Sequence, residues 1–252
     1  MTVGAPVRYE RTGSAAVVTI DRPERRNAVD AETAQLLRES LERFEADDEA
    51  RVMVVTGAGG VAFCAGADLR AMDLDIDHPD GPMGFTRVTP SKPTIAAISG
   101  WCLAGGLEIA LWCDLRIATE GSTFGLFERR WGVPLIDGGT QRLPLVVGMG
   151  RALELTLTGR PVDAQEALRI GLANEVVPEG RHLERALELA EQLAAFPQET
   201  MLADRRAMLE GTRMPWAEAL EHEYRLGRAV MEVAGRGAHR FASGEGRHGA
   251  VE

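Results

Sequence analysis

The chain is short of the features that define several protein classes. It has three cysteines, Cys64, Cys102 and Cys113, an odd number with no CxxC spacing. That excludes a disulfide framework and a thiol-ligated zinc site, and the expectation is buried thiols in a reducing compartment. The five histidines, His78, His182, His222, His239 and His248, are scattered, so no metal is expected. The longest apolar stretches, around Ile95–Ile98 and Ile109–Trp112, fall far short of the roughly 20 residues needed to span a bilayer. The opening Met1–Pro6 lacks a basic segment followed by an apolar one, so no secretory signal and a cytoplasmic location are expected. Lys92 is the only lysine, a bias read as genomic, not functional. Basic residues number 28 against 38 acidic ones, for a net charge of −10. With no basic run, neither nucleic acid nor anionic membrane is an expected partner.

What is present is an ordinary globular composition over 252 residues, 45% apolar and 26% charged. That length accommodates one large domain or two small ones. Val7–Arg11 and Ala15–Asp21 read as a strand pair joined at Thr12-Gly13-Ser14. Asp30 reads as the N-cap of a helix carrying Leu36, Leu37, Leu41 and Phe44. Val52–Thr56, Thr94–Ile98 and Leu115–Ala118 are short apolar strands, the first two buried on both faces. A helix is expected from Gly105 to about Cys113. Residues 50–120 therefore alternate strand and helix, which predicts an α/β fold with parallel pairing. The first half of Met72–Thr89 reads as a mobile surface loop. Beyond residue 140 the pattern is helical, over Ala152–Leu157, Ala164–Ile170, Leu183–Phe196, Gln198–Glu210 and Trp216–Val233. The expected division is a core over residues 1–190 and a helical region over 191–252. The Gly-rich tail from Ser243 to Gly249 is expected to be loose.

Three places carry possible chemistry. In Phe63-Cys64-Ala65-Gly66-Ala67-Asp68-Leu69-Arg70, small residues follow a buried strand and let another group approach the backbone. Asp68 or a neighbour would then start a helical turn with free N–H groups; the alternative is a plain strand-to-helix turn. In Ala104-Gly105-Gly106-Leu107-Glu108, two glycines at a helix start expose unpaired donors aided by the helix dipole. That suits an oxyanion, and tight helix packing is the alternative. Glu108 and Glu128 form the third feature. Both lie among apolar neighbours, where burial raises a carboxyl pKa into the range of general acid–base work. Against this stands a structural reading: Glu108 caps helix N–H groups, and Glu128 pairs with Arg129, Arg130 or Arg142.

Together the motifs resemble the crotonase family, the enoyl-CoA hydratase/isomerase superfamily. The resemblance runs from about Val7 to Phe241. It is carried by Asp21-Arg22-Pro23, Arg26-Asn27-Ala28, the 63–69 motif, Lys92–Gly100, Ala104–Glu108, Cys113-Asp114, Phe124-Gly125, Gly138–Leu143, Leu157–Arg160 and Gly171–Ala173. It implies a crotonase-like spiral of ββα units with a C-terminal helical trimerisation region, assembled as a trimer or as a hexamer of paired trimers. It implies an acyl-CoA thioester as ligand and no cofactor beyond the coenzyme A of the substrate. The family's two oxyanion amides map onto Ala67 and Gly105. Its CoA-contacting stretch maps onto Ala65, Ala67, Asp68, Leu69 and Arg70, with Arg26 and Ala28 beside the nucleotide end.

Hydratases that resemble this chain carry two glutamates twenty residues apart, matching Glu108 and Glu128. A 2-enoyl-CoA hydratase is therefore the leading expectation. An enoyl- or dienoyl-CoA isomerase, another crotonase-type reaction, and an acyl-CoA binder without turnover are the rivals. The chain departs from the pattern at Arg129-Arg130 and at Asp137. Asp137 stands as a possible additional acid that tunes the pocket or shifts the reaction, or else as a salt-bridge partner of Arg129, Arg130 or Arg142.

Overall fold

The computed structural model describes residues 4–244. The chain forms two compact units, Met1–Ala190 and Glu191–Glu252.

The first unit begins with β1 (Val7–Thr12) and β2 (Ala15–Ile20), an antiparallel hairpin as expected. α1 (Ala31–Ala46) follows, capped by the Asp30 side chain, which accepts the Thr33 N–H. α1 buries Leu37, Leu41 and Phe44 along one face. Then the chain repeats a pattern. β3 (Val52–Gly57) is followed by the short β4 (Ala62–Cys64), β5 (Thr94–Ile98) by β6 (Trp101–Leu103) and α2 (Gly105–Trp112), and β7 (Leu115–Thr119) by β8 (Thr123–Gly125). Odd members join one sheet and even members the other. The first sheet has the order β1-β2-β3-β5-β7-β10 and the second β4-β6-β8-β9, with β9 (Val162–Asp163) and β10 (Glu175–Val177) closing the two. Pairing is parallel from β2 to β10 in the first sheet and from β4 to β8 in the second. This is a spiral of strand–strand–helix turns. It explains why β2, β3 and β5 read as unbroken apolar runs, since both faces of a central parallel strand are covered.

Every residue of α2 from Gly106 to Trp112 is buried. A helix apolar all round belongs inside a protein, and α2 carries one charged side chain, Glu108, into that interior. Gly106 makes the packing possible: a Cβ there would stand 2.1 Å from the Cys64 carbonyl oxygen at the end of β4. The three cysteines are free and buried, and burial pushes the Cys64 and Cys113 thiols up to about 12.

α3 (Gly139–Val147), α4 (Met149–Thr158), α5 (Ala164–Arg169) and α6 (His182–Ala195) complete the helices that begin in this unit. α3 carries no helix signal in the sequence, because Gly138-Gly139 and the internal Pro144 carry loop chemistry. Leu145, Met149, Leu153 and Leu157 fall at four-residue spacing across α3 and α4 and are 50–71% exposed. The last three share one face of α4, and the chain breaks at Gly148 between them and Leu145.

The second unit contains α7 (Gln198–Gly211), α8 (Trp216–Ala229) and α9 (Met231–Ser243). Its helices pack on one another, with Gly211 of α7 against Ala219 of α8. The single helix expected over Trp216–Val233 is two, broken at Val230, whose φ of −111° and ψ of 14° leave the helical region. Trp216, Met208, Phe241 and Met231 of this unit are largely exposed. The tail beyond Gly244 lies outside the described residues. Among the described residues, no helix is long and apolar enough to cross a membrane, and no group of His, Cys, Asp and Glu is arranged to hold a metal ion.

Candidate active site

The site is assembled where β4 and β6 end. After β4 the chain runs Ala65-Gly66-Ala67-Asp68, alongside the loop 26–29. Ala65 N–H donates to Arg26 O, Val29 N–H to Gly66 O and Asp68 N–H to Val29 O, a short parallel ladder with Ala67 at its centre. After β6, Ala104 adopts φ 51° and ψ −125°, a strained conformation for a residue with a Cβ, and α2 starts at Gly105. Gly66 lies against that start: with φ +92°, a Cβ on it would stand 2.9 Å from the Gly105 nitrogen. Among the described residues, neither the Ala67 N–H nor the Gly105 N–H has a hydrogen-bond partner. Two neighbouring loops thus leave free donors close together, one at a helix N-terminus.

Glu108 is 3% exposed, and its Oε1 accepts N–H groups from Gly139 at 2.8 Å and Asp137 at 3.0 Å. It caps a helix, as one reading of the sequence held, but the helix is α3 and not its own. Burial pushes its carboxyl up to about 7; the charges of Asp137 and Glu128 add to the rise, and the two N–H bonds oppose it. Glu128 sits in a short 3-10 helix, Phe127–Arg130, and is 5% exposed. Neither carboxylate oxygen has a hydrogen-bond partner on another described residue. Burial raises its pKa, against the weaker effect of Arg129. The arginine pairing that was the structural alternative for it does not form among the described residues. Arg130 lies over the Phe127 ring at 4.1 Å, and Arg142 donates to the main-chain oxygens of Asp137 and Thr86. An acid this buried without a partner is costly to the fold, and such groups cluster where chemistry is done.

Asp137 is buried beside the pair. Its carboxylate accepts from the Met83 N–H at 3.0 Å and from the Thr86 hydroxyl, so the salt bridge considered for it gives way to a loop anchor. Residues 81–86 are buried throughout, whereas 71–77 are mostly exposed, as expected for the first half of that segment.

The remaining candidates divide. Arg26, Leu69 and Arg70 are exposed, Ala65 is half-buried, and Ala28 is buried. Asp68 is turned inward: its carboxylate accepts from Arg22 at 3.1 Å and from the Arg70 N–H at 3.1 Å. Its carbonyl accepts from Ala71 and Met72, closing one helical turn and no more. Arg22 also pairs with Asp30 at 2.6 Å. Asn27, fully buried, donates to Ala58 O at 2.9 Å and Ala62 O at 2.6 Å. Arg22 and Asn27 belong to matched motifs, but no sequence signal separated their scaffolding role from ligand contact. No sequence signal singles out Met83 or Thr86 within their loop, because only the fold brings them to Asp137.

Repeated strand–strand–helix turns around a buried acid pair define a crotonase-type protein. The model of the family described as enoyl-CoA hydratase/isomerase matches residues 10–247. An enoyl-CoA hydratase of Mycobacterium tuberculosis is 35% identical over 95% of this chain and 94% of its own length. A short-chain-enoyl-CoA hydratase of Clostridium acetobutylicum is 37% identical over 86% of each chain. The crystal structure of an enoyl-CoA hydratase from Mycobacterium marinum superposes with a TM-score of 0.90, at 33% identity, over 95% of this chain and 96% of the other. The chain belongs to the enoyl-CoA hydratase/isomerase family and is an enzyme of that class.

Proposed function

We propose that the protein is a 2-enoyl-CoA hydratase, adding water across the C2=C3 bond of an enoyl-CoA thioester. The observation that carries this reading is the buried, unpartnered Glu128 carboxylate beside a second raised acid, Glu108. Conjugate addition puts negative charge on the thioester oxygen. The free N–H groups of Ala67 and Gly105 hold that oxygen, and removing one such donor costs on the order of 3–4 kcal/mol in the barrier. Glu108 takes the proton of the attacking water. Glu128 delivers a proton to the α-carbon. The acids are coupled through their charges, so their titrations belong to the pair. The coenzyme A portion lies along Ala65–Arg70, with Arg26 and Ala28 near its nucleotide end. The exposed Arg26 and Arg70 are available to phosphates, whereas the Asp68 carboxylate serves Arg22. No further cofactor takes part.

The Met83 and Thr86 bonds of Asp137 support hydration over an isomerase reading built on Asp137 as a third acid. The exposed apolar side chains of α3 and α4 support a homotrimer or a pair of trimers. The protein works in the cytoplasm.

The test follows the loss of enoyl absorbance with crotonyl-CoA. Loss in the native enzyme and its suppression in Glu128→Gln is the expected result. Deuterium exchange at the α-carbon without hydration favours the isomerase, and acyl-CoA binding with no turnover of any substrate favours a binder.

A further inference from the structure

Asp137 holds two parts of the site at once. Its N–H orients Glu108 at 3.0 Å, and its carboxylate holds the loop 81–86 through Met83 N–H at 3.0 Å and the Thr86 hydroxyl. The loop is gripped from its other side by α1. Gly84, at φ +108°, comes so close that a Cβ would stand 2.8 Å from Ala34 O. Arg142 adds a further tie, donating to both Asp137 O and Thr86 O. What this fixed loop delivers is Met83. Its Sδ and Cε lie 3.0 Å from where a Cβ on Gly105 would stand, so the thioether rests on the first residue of α2. Met83 is 1% exposed, and its backbone is held through its N–H.

We propose that Asp137 is a positioning residue and not an acid of the reaction: it locks the Glu108 carboxylate and the Met83 side chain into one unit, and Met83 thereby limits the substituents accepted on the acyl carbon next to the thioester carbonyl. This rests on the assignment of the Gly105 N–H to the thioester oxygen, since that assignment puts the α-carbon beside Met83. An anchor of this kind is felt in turnover, because a displacement of about 1 Å of a reacting group costs on the order of 100-fold.

The experiment uses the full-length enzyme with crotonyl-CoA and its 2-methyl-branched analogue. Asp137→Asn keeps an acceptor for Met83 and Thr86 and is expected to stay within a few-fold of the native kcat. Asp137→Leu removes the acceptor and is expected to lower kcat on the order of 100-fold with little change in KM. Met83→Ala is expected to improve kcat/KM for the branched substrate, relative to crotonyl-CoA, on the order of 10-fold. Equal inactivity of the Asn and Leu variants makes Asp137 a catalytic acid and overturns the proposal. So does full activity of the Leu variant, or an unchanged substrate ratio in Met83→Ala. Should Asp137→Leu fail to fold, Asp137→Asn and Met83→Ala decide. Relative affinities of the two thioesters, measured by calorimetry, carry the Met83 comparison without turnover. Failure of the hydratase reading is seen separately, as no hydration by the native enzyme.

Discussion

Glu108 and Gly139 fit each other on two counts: the Gly139 N–H donates to Glu108 Oε1 at 2.8 Å, and a Cβ on Gly139 would stand 2.9 Å from Glu108 Cγ. The first turn of α3 therefore supplies a donor to the acid and also needs a residue without a side chain. Gly139→Ala is expected to push Glu108 out of register. Its kcat falls on the order of 100-fold while the far-ultraviolet circular dichroism stays native. Unchanged turnover in this variant shows that Glu108 can move freely, against the geometry described.

The rate should follow the protonation of the pair. In the proposed reaction Glu108 acts as a carboxylate, and burial pushes its carboxyl up to about 7. On this basis kcat/KM for crotonyl-CoA rises with pH up to about 7. Glu108→Gln removes that acid limb together with most of the activity. A flat native profile between about pH 5 and 8 contradicts the assignment of Glu108 as base.

Stability should show the opposite trend. Glu108 binds its proton more tightly in the fold, near 7, than at the ordinary 4.5. Its neutral form is the one the fold favours. The contribution is complete below about 4.5 and is lost as pH rises through about 7. Glu108→Gln is accordingly more stable than the native enzyme at pH 8, on the order of 3 kcal/mol, and similar to it near pH 4.5. Urea melts at the two pH values measure this. Equal stabilities at pH 8 mean that the carboxylate is solvated in solution.

Arg22 joins Asp30 and Asp68, and so ties the start of α1 to the loop that carries Ala67. Replacing it with Met leaves two partly buried carboxylates without their counter-charge, at a cost of about 3 kcal/mol. The free Ala67 N–H shifts with the loop, so kcat falls as well as the melting temperature. A variant that loses stability and keeps full kcat separates the clamp from the site.

Some elements were legible because a local rule sufficed. The β1–β2 hairpin followed from its turn residues, the start of α1 from the Asp30 cap, and β3 and β5 from continuous apolar runs. The three-residue strands β4, β6 and β8 were not legible, since three residues establish no period. α3 was hidden by Gly138, Gly139 and Pro144, which locally signal a loop and are tolerated because the helix is capped by Glu108. Glu108 and Glu128 stood out as charges in apolar surroundings, yet sequence left each between a structural and a chemical role.

The amino-acid pattern alone determined the alternation of strand and helix, the family resemblance, and the identity of the two buried acids, because periodicity and short motifs are properties of neighbouring residues. Tertiary structure decided which acid is satisfied and which is not. It gave Glu108 two N–H donors from a segment some thirty residues away, left both oxygens of Glu128 without a partner, and gave the Asp137 carboxylate the Met83 N–H and the Thr86 hydroxyl. Those outcomes depend on which distant backbone groups reach each carboxylate, and only the folded chain sets that.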